Sequence, residues 1–259
     1  MLKAFFSSAT GMRAQELLID NTANNLANVN TAGFKKKHIN FADLIYETIT
    51  APGAATSGGF VKPVGLQIGS GVRGVGTTSV FSQGTPTETG IETNMAIEGE
   101  GFFKVTRDGA PAYTRDGSFT PDATGQLVNG DGYILDPQIV IPPTASAVSI
   151  SNQGVVSYQL DGVSTTGPTI QLARFANPAG LQNIGGNLYV ETEASGQETL
   201  GQPGLEGLGT IRNNFVEGAN VEVVSELVSL ITAQRAYEIN SRAIRSGDEM
   251  LSTASDLVR

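Results

Sequence analysis

The sequence predicts an α+β protein in which helices from the two ends of the chain pair as a coiled coil beside a central all-β domain. Near the N-terminus, apolar side chains recur every seventh residue, at Phe5, Met12, Ile19 and Leu26. Near the C-terminus a second seven-residue series runs through Val223, Leu230, Tyr237, Ile244, Leu251 and Val258. A spacing of seven places one apolar stripe along a slightly underwound helix, and such a stripe is buried only against another helix.

The third observation is a dense set of hairpin signals between residues 72 and 208. Short apolar runs alternate there with turn residues, including the four pairs Asp108-Gly109, Asp116-Gly117, Asp131-Gly132 and Asp161-Gly162. Asp-Gly between short strands favours a two-residue hairpin turn. No amphipathic helix separates these runs, so the pattern indicates an all-β domain and not βαβ units.

These observations divide the chain into a discontinuous helical domain at 1–45 and 211–259, an extended strap at 46–72, and a β-rich domain at 73–210. The first helix is predicted from Leu2 to about Val29. Gly33 is expected to supply a left-handed C-cap residue, with Phe34 as its apolar contact. The last helix is expected to begin after Asn220, a good N-cap residue.

Each stripe is narrow, so each helix alone would bury little surface and be marginal in water. The two ends are therefore expected to pair, either within one chain or across many copies. Beside the first stripe, Asn21, Asn25 and Asn28 form a row of amides that suits hydrogen bonding to a neighbouring helix. In the strap, apolar residues such as Phe60 and Val64 indicate contact with a surface. The predicted assembly interface consists of Phe5, Met12, Ile19, Asn25, Leu26, Asn28, Phe34, Phe60, Val64, Leu227, Leu230, Tyr237, Ile244 and Leu251.

Composition excludes several classes of function. The chain has 259 residues, a formal net charge of −9, no cysteine and one histidine, His38. No basic segment of any size is present, so nucleic acid is not an expected partner. Thiolate chemistry and histidine clusters are excluded, and neither a metal nor a cofactor is predicted. No run of eighteen apolar residues and no signal-peptide core occurs, so membrane insertion and a cleaved leader are not expected.

Three patterns suggest chemistry and are weighed against simpler explanations. Residues 69–74 match the dinucleotide pattern GxGxxG, but no helix is predicted to follow. The Asp-Gly turns lack the spacing of a calcium-binding loop. Glu88, Glu92, Glu98 and Glu100 cluster before a strand, and two such acids flank the cleft of a glycosidase. No tryptophan is available to line a sugar site, so no catalytic residue is predicted, and a peptidoglycan-cleaving enzyme using Glu98 remains the alternative of a different class.

Three separated motifs resemble those of flagellar rod and hook proteins. Residues 24–35 (NNLANVNTAGFK) resemble the N-terminal signature of that family, and residues 233–242 (AQRAYEINSR) resemble its C-terminal signature. Residues 97–103 (IEGEGFF) and 113–117 (YTRDG) are similar to its β region. The stretch 66–73 (LQIGSGVR) most resembles the distal rod members, while proximal rod and hook-type members remain alternatives within the family.

The resemblance implies a structural subunit of the bacterial flagellar drive shaft that self-assembles into a helical polymer and transmits torque. Its implied partners are other copies of itself, proximal rod proteins, the hook protein, the surrounding basal-body rings and the flagellar type III export apparatus. It further implies export without cleavage and a place in the rod that crosses the periplasm.

Overall fold

The structure is a computed structural model that describes residues 2–53, 63–107, 109–160 and 162–257. The chain divides into two compact units. Unit 1 contains residues 1–26, 37–78 and 222–259, and unit 2 contains residues 27–36 and 79–221. The elements of unit 1 are the helices α1 (Leu2–Ala27) and α2 (Val223–Leu257) and the strands β1 (Lys37–Asp43), β2 (Tyr46–Thr50), β3 (Leu66–Gly69) and β4 (Val72–Ser79).

The strands of unit 1 form two separate pairs. β1 pairs with β4, and β2 pairs with β3 in antiparallel register from Tyr46 opposite Gly69 to Thr50 opposite Leu66. The part of the chain predicted as an extended strap therefore contains both strands of the β2–β3 hairpin. β4 packs against α1: the Val72 amide donates to Thr10 Oγ1 at 3.4 Å. A side chain at Gly71 would put its Cβ 2.1 Å from Thr10 Oγ1, so glycine permits this close approach.

Unit 2 is built almost entirely of short strands. They are β5 (Pro86–Glu88), β6 (Met95–Glu98), β7 (Phe102–Arg107), β8 (Ala110–Thr114), β9 (Thr120–Pro121), β10 (Leu127–Val128), β11 (Ile134–Asp136), β12 (Ser146–Ile150), β13 (Val155–Leu160), β14 (Val163–Thr169), β15 (Leu172–Arg174), β16 (Gln182–Gly185), β17 (Leu188–Val190), β18 (Thr199–Gly201), β19 (Thr210–Asn213) and β20 (Phe215–Glu217). One 3-10 turn at Pro178–Gly180 lies between β15 and β16.

A nine-stranded sheet organises unit 2. Its main path runs β16-β17-β8-β7-β11-β10-β9, with β15 pairing both β7 and β18. β12, β13 and β14 form a separate three-stranded sheet, while β6 pairs with β19 and β5 with β20. A fully buried apolar cluster fills the interior, and its members include Met95, Ile97, Phe103, Val105, Phe119, Leu127, Leu135, Val156 and Leu172. Burial of this surface is what stabilises unit 2 in the absence of long helices.

Much of the predicted secondary structure is present. α1 begins at Leu2 as expected, and the central part of the chain is β structure. Three of the four Asp-Gly pairs fall between strands that pair antiparallel: β7 with β8, β10 with β11, and β13 with β14. Asp108 and Asp161 themselves lie outside the described residues. Residues 69–74 lead into the strand β4, so no helix follows the GxGxxG pattern, as predicted.

Asp116-Gly117 is the exception among the predicted hairpins. Asp116 Oδ1 accepts hydrogen bonds from the backbone and hydroxyl of Ser118, which closes a local turn. A Cβ at Gly117 would lie 1.5 Å from the Met95 carbonyl oxygen. The glycine is therefore needed for a close backbone approach, and not for a two-residue hairpin.

The two predicted helix caps are wrong. α1 ends at Ala27, six residues before Gly33, because the chain turns at once: the Thr31 amide donates to the Asn28 carbonyl at 3.1 Å. α2 begins at Val223, and Asn220 does not cap it. The Asn220 side chain accepts from the Lys36 amide at 2.7 Å and donates to the Val80 carbonyl at 2.7 Å, so it joins three segments of unit 2.

The predicted domain boundaries also differ from the two units. β4 continues to Ser79 because it pairs with β1, so the β-rich unit starts after the predicted residue 73. At the other end, β19 and β20 extend the β structure to Glu217, beyond the predicted residue 210. Within the described residues, no helix is long and apolar enough to cross a membrane.

Candidate assembly interface

The two terminal helices touch each other in antiparallel register. A Cβ at Gly11 would lie 3.1 Å from Asn240 Nδ2, and Asn25 Nδ2 donates to Glu226 Oε2 at 3.3 Å. Moving fourteen residues along α1, from Gly11 to Asn25, thus moves fourteen residues back along α2. Near the other end, a Cβ at Gly247 would lie 2.7 Å from the Phe5 ring. The same two faces therefore meet over much of α1.

Within one subunit, the face of α2 that contacts α1 is not the predicted apolar ladder. The contacting or buried positions are Glu226, Ala233, Asn240 and Gly247, which are seven residues apart. These side chains are small or polar, and small side chains allow two helices to approach closely. Of the ladder, Leu230 and Ile244 are half-buried, whereas Val223, Tyr237 and Leu251 are exposed, and Val258 lies outside the described residues.

The ladder of α1 is half-buried throughout. Phe5, Met12, Ile19 and Leu26 all keep part of their surface in solvent, while the fully covered positions are Ala14, Thr22 and Asn25. The predicted stripe thus borders the buried face of α1 without coinciding with it. Together with the exposed ladder residues of α2, it leaves apolar helix surface that this subunit alone does not cover.

The exposed apolar surface is largest on the first half of α2. Val224, Leu227, Val228 and Ile231 are all exposed. Leu227 and Val228 are each three or four residues from both Val224 and Ile231, so the four share one side of the helix. A soluble single chain seldom exposes such a group together, and a contiguous apolar patch indicates an interaction site. Leu227 belongs to the predicted assembly interface. Its three exposed neighbours are not among the predicted interface residues.

The asparagine row has a different main partner from the predicted helix. Asn25 both accepts from the Lys37 amide at 2.9 Å and donates to the Lys37 carbonyl at 3.0 Å, and Asn21 donates to the same carbonyl at 2.7 Å. The amides therefore fix the start of β1 against α1. Asn28 accepts from the Thr31 hydroxyl at 3.2 Å within the turn after α1. Asn25 also reaches α2, because its Nδ2 donates to Glu226 Oε2.

The β2–β3 hairpin displays apolar side chains to solvent. Val64 is 76% exposed, and Ile45, Tyr46, Ile49, Leu66 and Ile68 are exposed as well. Phe60, also predicted to dock, lies outside the described residues. Apolar side chains on both strands of a hairpin are costly to leave in water, so this surface is a second candidate for contact with another molecule.

Residues 27–36, which include most of the N-terminal signature, belong to unit 2. Phe34 is 7% exposed, so it lies inside the subunit and not on its assembly surface. Gly33 has a φ of +67°, and a Cβ there would lie 2.5 Å from the Asp116 amide nitrogen. The Gly33 amide donates to the Glu217 carbonyl at 2.7 Å. Gly33 allows the backbone to lie directly against Asp116 and to bond Glu217, and this places the neighbouring Phe34 in the interior of unit 2.

A buried cluster of charges joins this segment to the end of β20. Lys35 Nζ lies 2.6 Å from Glu217 Oε1, and both side chains are 0% exposed. Arg115 Nη1 lies 3.4 Å from Glu217 Oε2, and its guanidinium stacks over the Phe102 ring at 5.3 Å. Lys35 also donates to the Ser82 carbonyl at 2.7 Å, and the Gly84 amide donates to Glu217 at 2.8 Å. The cluster thus connects four separate segments of unit 2.

Burial dominates the electrostatics of the two cations. Removal from water lowers the pKa of Lys35, although Glu217 acts in the opposite direction. Burial likewise lowers the pKa of Arg115, again opposed by Glu217. An arginine keeps its charge in proteins, so the guanidinium remains cationic here. No periodic pattern in the sequence marks this cluster, because Lys35, Arg115 and Glu217 lie about eighty and one hundred residues apart along the chain.

The four acids weighed as catalytic candidates are on the surface of unit 2. Glu88, Glu92, Glu98 and Glu100 are all exposed. Glu100 pairs with Arg174 at 3.2 Å, and Glu92 accepts from the Val148 amide at 2.8 Å. Each of these two acids thus has a structural role. Within the part of the chain that the structure describes, no group of three or more His, Asp or Glu side chains is placed to hold a metal ion.

Apolar helix faces left open beside a separately packed β unit are typical of a structural subunit that assembles with other molecules. Three family models match the chain. They are "Flagella basal body rod protein" over residues 7–35, "Flagellar hook protein FlgE/F/G D1 domain" over residues 96–158, and "Flagellar basal body rod FlgEFG protein C-terminal" over residues 212–257.

Full-length relatives make the assignment specific. The chain is 44% identical to the flagellar basal-body rod protein FlgG of Borreliella burgdorferi over 266 residues, covering 100% of both chains. It is 44% identical to FlgG of Caulobacter vibrioides over 261 residues, with 99% of each chain covered, and 38% identical to FlgG of Bacillus subtilis over 268 residues, with 100% covered. The chain belongs to the FlgG family of flagellar basal-body rod proteins.

A hook protein matches only in part. The chain is 40% identical to the flagellar hook protein FlgE of Helicobacter mustelae over 137 residues, which cover 52% of this chain and 30% of the hook protein. The expected resemblance to distal rod members is therefore confirmed by relatives that match from end to end.

Proposed function

We propose that this protein is a structural subunit of the distal rod of the bacterial flagellum, where it polymerises into a rigid tube that carries torque from motor to hook. The observation that carries the proposal is the end-to-end similarity to proteins named as FlgG rod proteins. It is supported by the apolar surface on α2 and on the β2–β3 hairpin, which one subunit leaves in water.

The terminal helices are proposed to form the inner wall of the tube as coiled coils. Their antiparallel contacts at Gly11, Asn25 and Gly247 support side-by-side packing. The half-buried ladder from Phe5 to Leu26 and the exposed residues of α2 would then be covered by the helices of neighbouring copies. Such close packing of helices resists shear, as a drive shaft requires.

The β2–β3 hairpin, with the segment that includes Phe60 and Val64, is proposed to be a strap that docks on an adjacent subunit. Its exposed apolar side chains support this role. Unit 2 would form the outer layer of the tube. The proposed partners beyond other copies are proximal rod proteins, the hook protein, the surrounding basal-body rings and the type III export apparatus, and the proposed place is the rod within the periplasm.

The decisive experiment is assembly of the purified protein, with Leu230→Asp as the test variant. Leu230 is half-buried on α2, and an aspartate there would put a charge into a helix interface without a partner. We expect rods from the parent and none from Leu230→Asp, while the β unit of the variant keeps its circular dichroism. Val163→Asp makes the same kind of change at an exposed site of unit 2 and should leave assembly intact.

Rods formed equally well by Leu230→Asp would show that the helix faces do not carry assembly. Electron microscopy of the parent decides the proposal itself, since a protein that never forms rods, alone or on a proximal rod, is not a rod subunit.

A further inference from the structure

A groove in unit 1 carries two arginines above an apolar floor. It has a volume of about 330 Å³ and lies between α1 and β4. Leu17, Leu44 and Val72 supply apolar surface, while Arg13 on α1 and Arg73 on β4 supply the charge. We name this site the basic groove.

The two arginines of the basic groove are unsatisfied. Both are exposed, and among the residues that the structure describes neither forms a hydrogen bond or an ion pair with another side chain. They stand on a helix and a strand, so their backbones are held in place. Two guanidinium groups beside apolar surface suit a ligand that presents carboxylates on either side of an apolar group.

Unit 2 carries a surface turn with that chemistry. Glu88 and Glu92 are exposed and flank Ile91, whose side chain is 49% exposed. We name residues 88–92 the acidic turn. Unit 2 from residue 79 to 221 has five lysines and arginines against fifteen aspartates and glutamates, so its field favours approach to a cationic site.

The acidic turn is held in one conformation. The Thr89 amide donates to the Asn214 carbonyl at 2.9 Å, and the Asn94 amide donates to the Ile91 carbonyl at 3.1 Å. The Asn94 side chain donates to the Thr89 hydroxyl at 2.9 Å. Because these bonds already order the backbone, binding the turn costs little further conformational entropy.

We propose that the basic groove of one subunit binds the acidic turn of another copy of this chain, with Ile91 on the apolar floor and the two glutamates on Arg13 and Arg73. The inference rests on the proposed function, since it requires neighbouring copies. It adds a contact between the helical unit of one subunit and the β unit of another to the helix contacts described above. Charge complementarity of this kind fixes register and suppresses wrong pairings more than it adds affinity.

Cysteine cross-linking tests the contact directly, because the chain has no cysteine of its own. The test variant combines Leu17→Cys with Ile91→Cys, which keeps all four charges. After mild oxidation of assembled rods, we expect a ladder of covalent dimers and higher species on a non-reducing gel. The matched control combines Leu17→Cys with Ile184→Cys, another exposed residue of unit 2, and should stay monomeric on the gel.

Charge reversal supplies an independent readout. We assign Glu88 to Arg73 and Glu92 to Arg13 in this contact. Arg73→Glu should then slow rod growth at low salt about tenfold, because two carboxylates face each other. Adding Glu88→Arg to the same chain should restore growth, since the pair is then reversed and not lost. Restoration also excludes misfolding of Arg73→Glu as the cause.

Rods that form without the ladder, or a disulfide that closes within one chain, would overturn the inference and leave the proposed function standing. Failure of Glu88→Arg to restore growth of Arg73→Glu would also count against it. If the parent forms no rods at all, the proposed function fails, and this contact between copies fails with it.

Discussion

The ion pair of Lys35 and Glu217 joins residues 27–36 to the end of β20, and both charged side chains are buried away from water. Burying an ion pair costs desolvation free energy that the attraction between the charges only partly offsets. The intact pair therefore adds little to stability, although losing one partner is strongly destabilising. Removing one partner leaves the other charge buried and uncompensated. Displacing residues 27–36 would separate the two buried charges, so it would cost more free energy than breaking an apolar contact.

Glu217→Gln is expected to lower the free energy of unfolding of unit 2 by about 3–5 kcal/mol, because Lys35 and Arg115 would face each other without an anion. Urea denaturation followed by circular dichroism measures the change. The matched control is Glu100→Gln, which breaks the exposed pair with Arg174 and should cost less than about 1 kcal/mol. An equal decrease in the free energy of unfolding of the two variants would show that the buried cluster stabilises unit 2 no more than the exposed pair does.

Gly33 and Gly90 separate the effect of backbone conformation from that of space. Their φ values are +67° and +68°, but a Cβ at Gly33 would meet backbone at 2.5 Å, whereas one at Gly90 would meet nothing within 4 Å. Gly90→Ala should therefore cost only the left-handed strain of roughly 1–2 kcal/mol. Gly33→Ala should cost a further 1–3 kcal/mol, roughly, from overpacking. Thermal unfolding of both variants checks the difference, and similar melting temperatures would contradict it.

At the scale of the elements, the helix pair shows what an apolar ladder can and cannot predict. The seven-residue spacing correctly indicated two long helices, because periodicity depends only on local geometry. The face of α2 that contacts α1 was not predicted, because the seven-residue series was identified from large apolar side chains. In α2 the positions against α1 are occupied by residues such as Ala233 and Gly247, whose small size is what allows the approach.

Tertiary demands also explain the errors at the ends of the helices. Gly33 and Asn220 carry strong capping signals, but each is used elsewhere. Gly33 passes beside Arg115 and Asp116, and Asn220 bonds Lys36 and Val80. Capping preferences describe an isolated helix, whereas these residues satisfy partners more than thirty residues away in sequence. The antiparallel pairs β7–β8 and β13–β14 were predictable because strands that follow each other closely in sequence need no distant partner.

The antiparallel register of α1 and α2 predicts a specific cross-link. Seven residues beyond the contact of Gly11 with Asn240, Leu18 and Ala233 should face each other. Leu18→Cys with Ala233→Cys is expected to form a disulfide within one chain, which runs faster on a non-reducing gel. Leu17→Cys with Ala233→Cys shifts the thiol to another side of α1 and should not react. If the helices pair in parallel or in another register, neither cysteine pair should react, or the Leu17→Cys pair should react better than the Leu18→Cys pair.

At the scale of the whole molecule, the two units differ sharply in what they bury. The large apolar cores lie in unit 2, while the buried apolar residues of unit 1 are Ala14, Ile39 and Ala233 among those the structure describes. Ordering each residue costs about 1–2 kcal/mol of conformational entropy, which unit 1 can offset only with help from other surfaces. Assembly would provide that help by covering the exposed faces of α2.

Hydrogen exchange should therefore divide the monomer into two classes of amide. In dilute protein we expect fast exchange over residues 2–26 and 223–257 and slow exchange in the strands around Phe103 and Leu135. In rods the helical amides should become protected. Slow exchange of both helices at high dilution would mean that unit 1 is stable without neighbours.

The interleaving of the two units along the chain sets the order in which they can be completed. Unit 1 needs α2, which is made after every residue of unit 2, so α1 waits without its partner while the whole β unit emerges. Every residue of unit 2 is available once residue 221 has been made. A chain whose synthesis or passage through a pore stops short of α2 thus lacks the surface that faces Gly11 and Asn25. Under the proposed assembly through the paired helices, only a chain that has been delivered whole can join a growing polymer.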